Sequence, residues 1–352
     1  NLDYEKKDNR NKYYLIVKYF YEIGEISKAF SLINSRDVSN DENLFFYQVI
    51  QLNYFLSTFK LEQSCTFKNQ ITKNINIKNN FLDKIEIFCL ILENKTSEAE
   101  LLNSIMLETE NNIDDNFQEL FLYLIDPEYL KNTNQNWYSS DIKPDLIFLY
   151  SAMARIAELP LNEEFLMVDQ LNMAIPIILN KSTPIDLRIK AANLSYLNKN
   201  LTVDSLSALY QSVDFNSEQL NSTEKTVKNL SDRTDLLMAY HYQLVNIQIF
   251  PSERLEALKD FWDFAQKNNL ENIAYALSYK IIQSIEITSE YLNYSPEIAI
   301  SYIFNKDYEN SLKWINLYEN ANGIDDKIIL VKILLDLHLS EDANSIVEII
   351  RK

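Results

Sequence analysis

Glycine occurs only twice in the 352 residues, at Gly24 and Gly323. Average usage would supply roughly 25 in a chain of this length. Tight β-hairpins and bulges need backbone at positive φ, which glycine adopts at the least steric cost. A chain with two glycines is therefore a poor candidate for any β-rich fold. It also cannot write a phosphate-cradling loop. G-x-G-x-x-G and G-x-x-x-x-G-K-S/T both need glycines a few positions apart, and the G-x-S-x-G nucleophile turn does too. Dinucleotide-binding, P-loop, protein-kinase and nucleophile-elbow hydrolase sites are excluded on that ground.

Charge removes a further class. Lys plus Arg is 33 and Asp plus Glu is 51, a formal net charge of −18. Nucleic-acid binding rests on a dense basic footprint that neutralises phosphates. No Lys/Arg run is longer than the pair Lys6-Lys7, so no nucleic-acid partner is expected. An acidic surface favours a basic partner or simple solubility. Hydrophobic residues make up 47% of the chain, enough for a large core. No apolar run approaches the ~18 residues that a membrane-spanning helix requires; Ile175-Pro176-Ile177-Ile178-Leu179 is typical of the short apolar segments.

The hydrophobic pattern is helical throughout. Tyr14, Val17, Lys18 and Tyr21 fall at i, i+3, i+4 and i+7, and Ile298, Ser301, Tyr302 and Asn305 repeat that spacing. Clusters of Asn, Ser, Asp and Pro interrupt it, as at Asn34–Asp37, Asn74–Asn80, Asn180–Pro184 and Asn216–Ser231. Pro184 and Pro251 precede helical runs, where proline is tolerated, and Pro176 is expected to kink or end a helix. The punctuation predicts roughly 16 to 18 short helices, joined by short polar connections into antiparallel pairs.

Some of the pairs repeat. Tyr13, Ile16, Val17, Phe20, Gly24, Ile26, Ala29 and Ile33 place large apolar residues in a first helix, a small residue at a turn and another in a second helix. Ala29, Ser64 and Ala99 recur at a spacing of 35. Ile298, Ala299, Tyr302, Asp307, Tyr308, Ser311, Ile315 and Tyr318 fit the same template, followed by Leu330, Val331, Leu334, Ala343 and Val347. The two ends of the chain thus resemble tetratricopeptide-like helical repeats. The Trp and Gly of the first-helix consensus and the Pro after the second helix are missing, and the centre does not keep the period. The resemblance implies an all-α fold, a right-handed α-solenoid of stacked antiparallel helical hairpins whose inner face binds a protein segment.

Domains follow from the same reading. Residues 1–130 are expected as an N-terminal repeat lobe and 145–352 as a central and C-terminal hairpin lobe, its last two hairpins tetratricopeptide-like. The polar stretch 131–144 is expected to connect them.

Few residues invite chemistry. Cys65 and Cys89 flank the polar segment 74–80 symmetrically. If that segment is a hairpin turn, the two lie at equal height on facing helices and can bridge, closing a 24-residue separation that would add roughly 3 kcal/mol. The alternative is two buried thiols. A bridge would point to an exported, periplasm-like compartment, and free thiols to the cytoplasm. Two cysteines without neighbouring histidine do not make a zinc site. His241 and His338 stand apart from any second metal ligand and read as structural. Asp114-Asp115, Glu163-Glu164 and Asp325-Asp326 read as acids at helix N-termini, with Asn162 as a cap. Trp137 and Tyr138, in a polar stretch, are candidate contacts to a partner, unless that stretch is pinned onto the core. Trp262 and Trp314 read as core.

The expected function is a non-enzymatic scaffold or peptide-binding solenoid, with a protein or peptide partner of basic character, no cofactor and no metal. The competing expectation is an all-helical enzyme acting on a polymer or lipid. A deep pocket with convergent titratable groups would distinguish it.

Overall fold

The computed structural model describes residues 2–74, 79–109, 113–126, 137 and 141–351. Those residues form twenty α-helices and one 3-10 turn, with no strand among them. The chain is all-α. It divides into two compact units, Asn1–Asn200 and Leu201–Lys352.

The first unit holds eleven helices: α1 (Leu2–Glu22), α2 (Ile26–Asn34), α3 (Leu44–Ser57), α4 (Leu61–Asn74), α5 (Asn80–Leu92), α6 (Thr96–Thr109), α7 (Asp115–Ile125), α8 (Ile147–Ile156), α9 (Glu163–Val168), α10 (Gln170–Leu179) and α11 (Ile185–Leu197). Helix α8 is its axis. Every residue from Ile147 to Ala154 is buried, as expected of a helix that is apolar all round. It packs on α3, α7 and α10. One continuous apolar core runs from Val17 to Ala191.

The second unit holds nine: α12 (Val203–Gln211), α13 (Ser217–Asn221), α14 (Thr223–Asn229), α15 (Thr234–Ile247), α16 (Pro251–Lys267), α17 (Glu271–Ile282), α18 (Ser295–Phe304), α19 (Tyr308–Asn322) and α20 (Asp326–Arg351), with the 3-10 turn at Ser289–Tyr294. Here α15 is the buried helix and packs on α12, α16 and α17.

One connection recurs five times. In α1–α2, α3–α4, α5–α6, α16–α17 and α18–α19 a three-residue turn joins two packed helices. The middle residue of each turn has positive φ: Gly24 at 78°, Phe59 at 60°, Asn94 at 60°, Asn269 at 58° and Lys306 at 61°. The next N–H donates back across the turn each time, from Glu25 to the Phe20 carbonyl at 2.9 Å, from Lys60 to Phe55 and from Lys95 to Leu90 at 2.8 Å, from Leu270 to Ala265 at 2.9 Å and from Asp307 to Tyr302 at 3.0 Å. This is the six-to-one bond of a Schellman stop, which satisfies a carbonyl left over at the helix end. Five residues after each positive-φ position stands Ala29, Ser64, Ala99, Ala274 or Ser311, all buried. A small side chain there lets the second helix lie close to the first. At Ser311 the approach is close enough for its hydroxyl to donate to the Ala299 carbonyl at 3.1 Å.

Glycine itself is required only at the first of these turns. A Cβ at Gly24 would stand 2.6 Å from the Leu171 Cβ, and φ there is +78°. The other four turns are open enough to carry Phe, Asn or Lys at the cost of a left-handed residue, on the order of 1 kcal/mol.

Several expectations need correction. The units divide at Asn200/Leu201, whereas 131–144 lies inside the first unit. That stretch is crossed by packing: α3 and α7, before it, both contact α8, after it. The last expected hairpin, from Leu330 to Val347, is one unbroken helix. No Gly or Pro stands between Val331 and Ala343 to stop it, and His338 lies within it. Twenty α-helices exceed the expected count because α9, α13 and α14 are only five to seven residues long. Pro176 sits within α10, which ends three residues later at Leu179. Asn162 precedes α9 but makes no capping bond.

Candidate functional site

The two cysteines belong to packed neighbours. Cys65 lies on α4 and Cys89 on α5, with Cα atoms 5.6 Å apart and the sulfurs bonded to each other. The segment between the helices, 75–78, falls outside the described residues. A cavity of about 450 Å³ opens beside the cystine, lined by Leu61, Glu62, Cys65, Thr66, Asn69, Cys89, Leu92 and Glu93. Its lining offers two carboxylates, Thr66, Asn69 and a disulfide, with no histidine among them.

Trp137 is buried, not exposed. Its indole N–H donates to the Pro160 carbonyl at 2.8 Å and its ring packs on Phe165 at 5.8 Å between centroids. The hydrogen bond and the ring contact pin this residue to the core, so it offers no face to a partner. Tyr138 lies outside the described residues. Trp262 and Trp314 are buried, and the Trp262 indole donates to Ser278 Oγ at 2.9 Å.

Asp114 is more than a surface acid before a helix. Its Oδ1 accepts the Phe117 N–H at 3.1 Å and so caps α7. The Tyr150 hydroxyl donates to both carboxylate oxygens at 2.9 Å. Lys84 Nζ lies 3.2 Å from Oδ2, with both side chains almost fully buried, and Lys143 stands 3.8 Å away on the solvent side. Burial and the adjacent Asp114 charge push the Tyr150 phenol far above its ordinary range. The knot ties α5, α7 and α8 together.

The arrangement best suited to recognition lies in the second unit. A cleft of about 270 Å³ is lined by Leu220, Thr223, His241, Leu244, Gln248, Glu253, Glu256, Ala257 and Asp260. Three carboxylates come from one face of α16, because 253, 256 and 260 fall at i, i+3 and i+7. No Lys or Arg lines the cleft, and none of the three acids forms an ion pair among the described residues. The neighbouring bases are engaged elsewhere. Arg254 donates to the Gln248 carbonyl through Nε at 3.1 Å and Nη2 at 2.5 Å, and Lys259 pairs with Asp263 at 2.7 Å.

His241 forms part of the floor. Only 8% of it is exposed, and its ring stacks on Phe264 at 4.9 Å. No hydrogen bond holds either ring nitrogen among the described residues. Burial lowers its pKa, against a smaller opposing pull from the Asp260 carboxylate. The imidazole is therefore neutral near pH 7 and keeps a lone pair that can accept. Leu220, Leu244 and Ala257 add apolar surface. The volume falls below the range usual for small-molecule and cofactor pockets.

None of this was visible as a site in the sequence. His241 reads as an isolated core histidine, and three acids among 51 carry no signal. One cue existed. Glu256 and Asp260 place like charges at i and i+4, which disfavours an isolated helix.

Among the described residues no group of three or more His, Cys, Asp and Glu is close enough to hold a metal ion. No helix among them is long and apolar enough to cross a membrane. Compared with family models, with curated proteins and with solved structures, the chain matches none.

Proposed function

We propose that this protein is a non-enzymatic interaction module: a tetratricopeptide-like α-solenoid, its hairpins stacked in a right-handed superhelix, that receives a basic segment of a partner protein. The observation that carries the reading is the fivefold recurrence of one hairpin, with the same positive-φ turn, the same return hydrogen bond and the same buried small residue five positions on. Identical units that cannot bury their faces alone are how helical-repeat scaffolds are built. The net charge of −18 favours a partner of basic character. Thr223, His241 and Asp260 line one cleft, but no hydrogen bond links them in series among the described residues, and the other cavity has no histidine, which gives the enzyme reading less support.

The test is a binding screen of immobilised peptides of graded charge against the intact chain, at low and at raised salt. Retention of the basic peptides only, with release as salt rises past about 0.15 M, is expected. Equal retention of acidic and basic peptides, or none, would overturn the reading.

A further inference from the structure

We propose that the cleft between α15 and α16 is the seat of that basic segment, and that its occupant is an amphipathic helix presenting cationic side chains to Glu253, Glu256 and Asp260 and one ammonium or guanidinium donor to His241. The inference rests on the interaction reading above and adds to it a site, a ligand conformation and a specificity residue.

Charge complementarity fixes the sign. The lining carries three carboxylates and no Lys or Arg, and the two basic residues on the same helix, Arg254 and Lys259, are bound to the Gln248 carbonyl and to Asp263. Among the described residues none of the three carboxylates forms an ion pair, which leaves them open to an incoming cation.

Spacing fixes the conformation. Glu253, Glu256 and Asp260 extend along α16 for seven residues, about 10 Å at 1.5 Å per residue. A second helix lying along α16 matches that ladder with basic residues at i, i+3 or i+4, and i+7.

The ends of the cleft fix the amphipathic character. Gln248 lines it, and the connection around Gln248 exposes Ile247, Ile249 and Phe250, the last two at 81% and 62%. These three exposed apolar side chains, adjacent in sequence to the cleft residue Gln248, offer surface to the apolar face of such a helix.

His241 supplies an observation independent of the acids. It is a polar side chain more than nine-tenths buried, it borders the cleft, and it has no hydrogen bond of its own. With no protein group on either ring nitrogen among the described residues, a donor from the ligand can take the acceptor position. Because burial keeps the ring neutral, it accepts from a cation instead of repelling it. Below the histidine's own titration the ring becomes charged. Asp260, Glu253 and Glu256 from α16 then face an imidazolium, and Leu220, Thr223 and Leu244 on the other walls carry no charge to oppose it. Affinity for the cation should fall there.

The experiment uses the full chain and a fluorescein-labelled helical peptide of Leu, Ala and Lys, its lysines at i, i+4 and i+7. Binding is followed by anisotropy in about 50 mM salt. The triple substitution Glu253→Gln, Glu256→Gln, Asp260→Asn should weaken binding by at least tenfold. A control triple on exposed residues of α6, Glu98→Gln, Glu100→Gln and Glu108→Gln, removes the same charge and should change affinity less than threefold. His241→Phe keeps a ring on Phe264 and should cost three- to tenfold, with circular dichroism verifying the fold. Equal losses for the two triples would remove the cleft as the seat while leaving a basic-peptide binder in place. A peptide that fails to bind the unaltered chain would overturn the function as well. Free spermidine that competes at the peptide's own concentration would make this a polyamine site and would also overturn the proposal.

Discussion

Removing the carboxylate of Asp114 would take a partner from a buried lysine. Lys84 is almost wholly buried, and Asp114 Oδ2 stands 3.2 Å from its Nζ. A buried charge deprived of its partner typically costs 3–5 kcal/mol, far more than a surface pair contributes. Asp114→Ala also takes the cap from α7 and the acceptor from Tyr150. Urea denaturation of that variant is expected to show a loss of at least about 3 kcal/mol, whereas Tyr150→Phe, which removes one hydrogen bond and leaves the ion pair, should lose about 1–2 kcal/mol. Near-equal small losses would mean that Lys84 is satisfied without Asp114. His241 makes the second residue-scale prediction. Its folded pKa lies below the ordinary 6.5. As pH falls past that ordinary value the unfolded chain takes up a proton that the folded chain refuses. Stability conferred by the neutral ring is therefore full above about pH 6.5, declines below it and stops declining once the folded ring titrates. In His241→Phe that part of the slope should vanish. A slope unchanged between pH 7 and pH 5 would place its source in the carboxylates instead.

The helical hairpin is the scale at which sequence and structure agree best. Ala29, Ser64 and Ala99 announce themselves by a spacing of 35 and do occupy equivalent buried positions in α2, α4 and α6. Ala274 escaped notice because its turn carries Asn269 and no glycine, and asparagine is equally common in ordinary loops of this chain. Phe59 and Lys306 were illegible for a stronger reason: nothing in either side chain marks a left-handed backbone, which is set there by the helices on both sides. The expected boundary at 131–144 failed because polarity is a local property, while the Trp137 and α8 contacts that hold the chain there are long-range. The cleft was beyond sequence reasoning since its walls come from α13 through α16 and meet only in three dimensions. Two substitutions test the hairpin geometry. Ala99→Leu inserts three carbons where α5 and α6 touch and should cost about 1–3 kcal/mol through overpacking. Lys199 has φ of 62° after α11, and the N–H of Asn200 closes the same kind of turn onto Ser195 at 2.8 Å. Lys199→Gly relieves a left-handed side chain and should raise the melting midpoint by a few degrees, equivalent to at most about 1 kcal/mol. A fall instead would show that the lysine stem contributes packing that outweighs the backbone strain.

Two compact units imply two cooperative blocks, and the chain carries an independent handle on each. The cystine lies in the first unit, between α4 and α5, and His241 in the second, on α15. The first unit has its own core from Val17 to Ala191, and the second is organised around α15 and its neighbours. A disulfide acts chiefly by restricting the unfolded chain, so its reduction releases a loop closed across 24 positions and should remove about 3 kcal/mol from the block that contains it. Acidification to about pH 5.5 should instead tax the block that refuses to protonate a buried imidazole. Differential scanning calorimetry of the whole chain is therefore expected to resolve two transitions. Added reductant moves one of them down by several degrees and leaves the other in place. Mild acid moves the second further than the first, and the excess disappears in His241→Phe. The unequal response is the informative part, because two overlapping transitions can mimic one in a single scan, but a single transition cannot divide its response between two unrelated perturbations. If reductant and acid shift a single common transition together, the two units unfold as one cooperative body. The division at Asn200/Leu201 would then describe geometry without describing thermodynamics.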